Sequence, residues 1–430
     1  MPEIFLYFIW QYQYVLRTNL TTTNGEIVQV IHPGFRNYNA GPDFINARLL
    51  INDVEWVGTV EMHTRTSDWL AHRHQYDRAY DNVILHVVWQ DDRDSSRREV
   101  NRSNGTPLPT LELISLVDPQ LLERYATLND APDAIPCAGR FREVSPLKVT
   151  SMLDKAMLQR LERKAANVRE IAAQTSNDWE ETAYRLLAVN MGFKINAEPM
   201  AQLSRAVPLK AILKHRDVLT QVESMLFGTA GLLEIEETDD YVTTLQREYR
   251  FLSAKYDLAD KQVAAHVWKW GRLRPANFPT LRLAQLARLL TRHASLFSLF
   301  VGTSDVEQLL KALQLTPGTY WQSHYRFGKS TEKVVPALGL NAAQNIVINT
   351  VVPLLAAYAH HRGQPAYVDR AIRLLEQLPA ENNNLTENWD MLGLGIQTAF
   401  DSQASIELYN EFCFPKKCLN CQIGAALVKG

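Results

Sequence analysis

The chain predicts an α+β domain over residues 1–140, built on a mixed sheet, followed by a large all-α domain over 141–430. Three features predict that class. Residues 44–51, 54–63 and 82–89 are β-prone runs of strand length. From Ser145 onward, apolar residues recur at helical spacing over segments too long for strands. Charge divides near the same place: residues 1–140 hold twelve Arg, no Lys and eighteen acids, and the first lysine is Lys148.

Taken in order, residues 1–15 are apolar and aromatic, without a basic leader or a small-residue cleavage site, and predict a buried amphipathic helix. Residues 26–31 form a short strand stopped by His32-Pro33-Gly34. Residues 44–51 and 54–63 flank an Asn52-Asp53 turn signal and predict a hairpin. Residues 82–89 are nearly all apolar, as in a central strand covered on both faces. Residues 90–104 form a polar surface loop, 110–113 a last strand, and 119–128 a helix. The domain boundary falls near 130–145, around Pro132, Pro136 and Gly139. Ser145-Pro146 is a helix start, with proline at the first helical position, and that helix runs to about 173. Further helices are predicted at 178–191, 216–226, 238–257, 280–300, 304–313, 341–361 and 366–377, with 382–384 as a linker.

At 430 residues there is ample chain for two or three cores, and 46% apolar with 21% charged residues is the balance of an ordinary globular protein. A net charge of −2 excludes an overall basic field. No run reaches the ~18 apolar residues of a membrane span. Four cysteines make no secreted disulfide framework, so a cytoplasmic location is expected and no membrane partner.

Gly41-Pro42-Asp43-Phe44 and, further on, Val60-Glu61-Met62-His63 can place two carboxylates on neighbouring strands, where they share a hard cation such as Mg²⁺ or Mn²⁺. Because side chains alternate along a strand, His63 lies on the same face as Glu61. A strict two-residue turn would pair Asp43 with Met62 and put Asp43 on the other face. A longer loop, or one bulge, pairs Asp43 with His63 and brings all three together. Otherwise Asp43 is a turn former and Glu61 pairs with an arginine.

His63, His72, His74 and His86, with Asp68, Asp77 and Asp81, fall within 24 residues, a density that suits a transition metal. The competing arrangement has Asp68-Trp69 capping a helix, His72 and His74 on its solvent side, and His86 as a core histidine. Near the end, Cys413-x4-Cys418-x2-Cys421 offers three thiolates, and Cys137 is the fourth cysteine of a zinc or iron–sulfur site; alternatively these are small residues on a terminal helix. Lys269, Arg272, Arg274 and Arg282, interleaved with Trp268, Trp270 and Phe278, suit phosphates and stacked bases, DNA or RNA alike. Trp321, His324, Tyr325, Arg326, Phe327 and Lys329 form a second such run. The alternative is a loop anchored by its aromatics, with its arginines in solvent. No phosphate loop or nucleophile elbow is present.

The strings Asn37-Tyr-Asn-Ala-Gly-Pro-Asp-Phe, Trp56-Val-Gly-Thr-Val-Glu-Met-His, Arg272-Leu-Arg-Pro-Ala-Asn-Phe-Pro and Lys417-Cys-Leu-Asn-Cys-Gln-Ile-Gly resemble the uncharacterised bacterial domain-of-unknown-function family 2851, across essentially the whole chain. That resemblance implies no activity. Residues 1–110 separately resemble the PD-(D/E)xK nuclease superfamily, which implies a restriction-endonuclease-like sheet. On that resemblance Asp43 and Glu61 would hold Mg²⁺, His63 would stand where the superfamily has lysine, and Glu3 or Gln11 would add a helix-borne ligand. The cysteines echo the iron–sulfur unit of some members.

The expectation is metal-dependent phosphodiester hydrolysis of nucleic acid, with Asp43 and Glu61 on the cation and His63 assisting the water. Its main rival is an inactive nuclease-like fold that serves as a nucleic-acid or protein scaffold. A third reading is a hydrolase of another metal class, built on His63, His72, His74 and His86.

Overall fold

The computed structural model describes residues 1–16, 20–93, 100–236 and 239–430. They form two compact units, one of 1–152 with 408–430 and one of 153–407.

The first unit holds the mixed sheet. Helix α1 (Glu3–Tyr12) buries Phe5, Leu6, Phe8, Ile9 and Trp10 and lies against the sheet at β4. The strands are β1 (Val28–His32), β2 (Phe35–Arg36), β3 (Phe44–Ile51), β4 (Val54–Arg65), β5 (Val83–Gln90) and, later in the chain, β8 (Thr110–Glu112). Their order is β1-β3-β4-β5-β8, with β2 pairing β3. β1, β3 and β4 are antiparallel neighbours, whereas β4, β5 and β8 run parallel. A parallel pair needs a crossover; between β4 and β5 it contains α2 (Asp68–Ala71) and two short 3₁₀ turns. β5 is buried from Val83 to Val88, as expected of a strand covered on both faces. The connection after β5, predicted as an unbroken loop, carries the small hairpin of β6 (Val100–Asn101) and β7 (Pro107–Leu108); its residues 94–99 lie outside those described.

Asn52 and Asp53 both have positive φ, 47° and 64°, as a two-residue hairpin turn of the primed type requires. The pairing register then slips by one residue between Phe44 and Ala47, where Asn46 sits at φ 58°. That slip is a bulge in β3.

α3 (Pro119–Asn129) and the start of α4 (Pro146–Gln174) complete this part of the unit. The C-terminal segment also belongs here, ending in the helix Gln422–Lys429, where Ile423, Leu427 and Val428 are buried.

The second unit is largely helical, as predicted; Ala197–Ala206 and Leu209–Leu213 are helices that the prediction did not include, and two predicted stretches differ in detail. The stretch 280–300 is two helices, Pro279–Arg292 and Leu296–Gly302. The break costs little because the Glu180 carboxylate accepts from the Leu296 and Phe297 N–H groups and from the Ser295 hydroxyl, capping the new start. Residues 382–384 are not a linker: Asn383 forms a capping box with Thr386 at the head of Asn384–Met391. Leu340–Arg362 is continuous but widens to a π turn at Val347–Val351, just before Pro353. Proline has no N–H for the Asn349 carbonyl, and Asn190 Nδ2 donates to that oxygen instead, at 2.8 Å. This helix is long and apolar enough to cross a membrane, alone among the described residues, and 72% of its apolar window is buried, as in a core helix.

Candidate metal centre

The bulge decides where the carboxylates meet. Phe44 pairs with Val60, so Asp43 falls opposite Glu61 and on its face. The required irregularity is present, but it lies in β3 and brings Asp43 to Glu61 and not to His63. The two residues clasp each other: the Asp43 N–H donates to Glu61 Oε2 at 3.1 Å, and the Met62 N–H donates to Asp43 Oδ2 at 3.0 Å. In the parallel pairing of β4 with β5, Glu61 lies beside His86. One row across the sheet therefore carries Asp43, Glu61 and His86.

The remaining histidines arrive through Trp69. Its ring is fully buried against Val83, Val100, Leu108 and Tyr80, and its Nε1 donates to the Asn101 carbonyl at 3.1 Å. That anchor holds α2 against the sheet. α2 lasts only four residues; His72 is its C-cap, and Arg73 at φ 62° reverses the chain. His72 and His74 are thereby brought to His63. Asp68 accepts from the Thr64 hydroxyl and the Arg65 N–H, tying the turn to the end of β4.

Ligand atoms of His63, His72 and His74 all lie within 4.8 Å of one another. His63 Nε2 is 3.1 Å from His72 Nδ1, and Glu61 Oε1 is 3.7 Å from His63 Nε2 and 3.6 Å from His74 Nε2. Tetrahedral zinc with nitrogen at 2.0–2.1 Å needs donor–donor edges of about 3.3 Å, so small side-chain adjustments close this set on one ion. His74 Nε2 is buried without a hydrogen-bond partner, as expected of a ligand nitrogen. His63 Nδ1 lies 2.9 Å from His86 Nε2, a contact that orients the His63 ring from behind.

Electrostatics agree with this arrangement. Burial, and then the neighbouring imidazoles, hold His63 down at about 3 and His74 at about 4, so both are neutral donors at ordinary pH. Burial raises the pKa of both carboxylates, and the Asp43 charge raises Glu61 further. A carboxylate pair that resists losing its protons in an empty pocket gives them up readily to a cation.

Around Asp43 stand groups that the motif did not single out. The Arg36 guanidinium sits 3.3 Å from the centre of the Tyr7 ring, and both groups lower the Asp43 pKa against its burial. Glu3 accepts from the Tyr7 hydroxyl at 3.2 Å, and its charge adds to the raised pKa of both carboxylates. Gln11 and Arg65 are exposed. The Glu3–Tyr7 helical spacing was the available signal for Tyr7; nothing local marked Arg36.

Cys137, Cys413, Cys418 and Cys421 are all buried in the first unit. Burial raises the thiol pKa first, and the other cysteines raise it further: Cys137 goes to about 12 beside Cys421 and Cys418, and Cys413 responds to all three others. Thiols from the two ends of the sequence therefore share one buried neighbourhood. Gly424 allows this, because a Cβ there would meet the Cys418 carbonyl oxygen at 2.3 Å.

In the second unit Lys269, Arg272 and Arg274 are exposed, whereas Arg282 is interior. Trp268 is buried with its Nε1 on the Ala230 carbonyl, and Trp321 with its Nε1 on the Tyr241 hydroxyl, so both anchor their loops.

Fold and site together define an α+β protein with a histidine–carboxylate cluster, buried at Glu61, His63 and His74 and open to solvent at His72, joined in sequence to a helical unit. The chain belongs to the family described as protein of unknown function DUF2851, whose model matches residues 3–384. No curated protein and no solved structure matches it.

Proposed function

We propose that this protein is a metal-dependent hydrolase that cleaves phosphodiester bonds of nucleic acid at the centre in its first unit. The observation that carries the reading is the closure of His63, His72 and His74 to within 4.8 Å, with Glu61 facing two of them. Imidazoles suit zinc better than oxygen-preferring magnesium or manganese, so the donor set adds Zn²⁺ to the Mg²⁺ or Mn²⁺ expected from the carboxylates. A divalent cation held there supplies Lewis acidity to a bound water and neutralises charge on a phosphoryl group. His63, His72, His74 and Glu61 would be its ligands. Asp43, buried alongside with a raised pKa, would take the proton from the attacking water, and Arg36 would hold Asp43 in place. Phosphodiesters as the substrate class rest on the resemblance of residues 1–110 to the PD-(D/E)xK superfamily, with Asp43 just before one strand and Glu61-x-His63 on the next. Exposed Lys269, Arg272 and Arg274 suit the second unit to phosphates.

A second reading, a non-catalytic nucleic-acid or protein scaffold, is favoured by one observation: His63 already finds a partner for each ring nitrogen within the protein, His72 for one and His86 for the other. We further propose that the four cysteines hold a separate thiolate-bound metal centre, with zinc or iron as the ion.

Two measurements decide between the readings. Metal analysis of the purified protein is expected to find zinc or manganese that falls in His74→Ala, and iron or zinc that falls in Cys421→Ser. Cleavage of single- and double-stranded DNA and RNA with Mn²⁺, Zn²⁺ or Mg²⁺ is expected to disappear in Asp43→Asn and Glu61→Gln with folding intact. Metal without cleavage leaves the scaffold; cleavage that survives both variants overturns the site.

A further inference from the structure

Arg282 is a buried cation without an anion. It is 5% exposed, and no carboxylate among the described residues stands within ion-pair distance of it. Its terminal nitrogens donate to Gln285 Oε1, at 2.9 Å, and to Asn277 Oδ1, while its Nε has no hydrogen-bond partner among the described residues. The guanidinium carbon stands 4.6 Å from the centre of the Phe193 ring, a partial compensation. Burying an unpaired guanidinium is costly, and burial accordingly lowers its pKa to about 10.

The side chain lines a cavity of about 820 Å³ lying wholly in the second unit, within the usual size range for a small-molecule site. Arg274 lines the same cavity. Asn277 and Gln285 each turn the amide oxygen toward Arg282, which fixes their orientation and leaves their –NH₂ groups as donors. The one acid among the lining residues, Glu381, accepts instead from Asn383 Nδ2 and Gln403 Nε2. The wall is therefore rich in donors and carries positive charge, with further amides at Asn341, Gln344 and Asn345.

We propose that this cavity binds a small phosphate ester of nucleotide size, its phosphate on Arg282 and Arg274 and its polar remainder on the surrounding amides. Guanidinium groups match phosphate oxygens in geometry as well as charge. Amide side chains offer the donor–acceptor pairs that nucleobase or sugar edges use. The inference is independent of the metal centre.

The test is calorimetric titration of the full chain, with chelator present, using inorganic phosphate, the four ribonucleoside monophosphates, the corresponding nucleosides, a dicarboxylate and a short single-stranded oligonucleotide. Binding of at least one monophosphate is expected, at least tenfold tighter than its nucleoside and the dicarboxylate. Arg282→Met should abolish it, and Arg274→Ala, on an exposed residue, should weaken it without affecting folding. Arg282→Met is also expected to melt at or above the wild-type temperature when no ligand is present, because an apolar side chain that keeps the arginine's aliphatic stem removes the uncompensated charge. No monophosphate binding, equal binding to both arginine variants, or binding of the oligonucleotide alone would overturn the proposal. A loss of stability in ligand-free Arg282→Met would assign the arginine a structural role instead.

Discussion

His63 is the residue on which the candidate centre turns: one ring nitrogen faces His72 and Glu61, and the other faces His86. His74→Ala removes a buried nitrogen that has no hydrogen-bond partner among the described residues, and it should cost roughly 10- to 100-fold or more in metal affinity by competition with a chromogenic chelator. The pH dependence has two opposing parts. Asp43 and Glu61 have raised pKa values in the metal-free fold, so the folded chain holds protons that the unfolded chain has released above the ordinary carboxylate range. Their contribution is present at low pH and is lost as pH rises through the raised values. His63 and His74 have depressed values, so the unfolded chain binds protons below about pH 6.5 that the folded one refuses. Their contribution is lost as pH falls from there toward about 4 and 3. Binding a cation needs free carboxylates and neutral imidazoles. The rise in melting temperature on adding Zn²⁺ or Mn²⁺ should therefore grow from about pH 5.5 to about pH 8 and grow less steeply in Glu61→Gln. A metal-induced rise that is independent of pH would count against Glu61 as a ligand. The donors themselves were legible as a dense run of histidines and carboxylates; the partnering of His63 with both His72 and His86 was not, because it depends on where a separate strand lies.

At the scale of elements, the hairpin of β3 and β4 combines a legible half with an illegible one. Asn52-Asp53 announced the turn, and both residues take the left-handed conformation that such a turn demands. Asp53→Gly should raise stability by about 0.5–1 kcal/mol in urea titration, because glycine meets no Cβ penalty at φ 64°. Asn52 is a poorer target, since its side chain accepts from the Ile27 N–H at 3.0 Å. The bulge at Asn46 left no mark that alternation could expose, because the residues of β3 are compatible with either register. Deleting Asn46 should restore the regular pairing, turn Asp43 away from Glu61 and abolish metal binding while far-ultraviolet circular dichroism stays near wild type. Retained metal binding in that deletion would dissociate the bulge from the site. The predicted 280–300 helix mixes the two: Ser295 caps the second piece locally by accepting from the Ser298 N–H, while the added cap from Glu180 comes from a residue distant in sequence.

For the whole molecule, chain order and spatial order part company at the C-terminus. The helix Gln422–Lys429 buries Ile423, Leu427 and Val428, and Leu419 is buried just before it, all in the first unit. Truncation before Cys413 should therefore destabilise that unit by on the order of 6 kcal/mol or more, visible as lost protection in hydrogen exchange across residues 119–152. In the second unit, fully buried Glu407 receives both Nε and a terminal nitrogen of Arg163, with Arg160 3.7 Å away. Glu407→Gln leaves two guanidinium groups without their anion and should cost about 2–3 kcal/mol, read by chemical denaturation of the full chain. What the sequence by itself determined about this protein is the division into an α+β region and a helical one, the hairpin, the covered central strand, and the inventory of donors. These follow from periodicity and turn chemistry, which act over a few residues. Only the tertiary structure decided that Asp43 faces Glu61, that two histidines after β4 return to it, that Cys137 comes within electrostatic reach of Cys418 and Cys421 from the far end of the chain, and that Arg282 is interior. Each of those depends on register or on contacts between distant segments, where a shift of one residue reverses the face a side chain occupies and no local pattern records the choice.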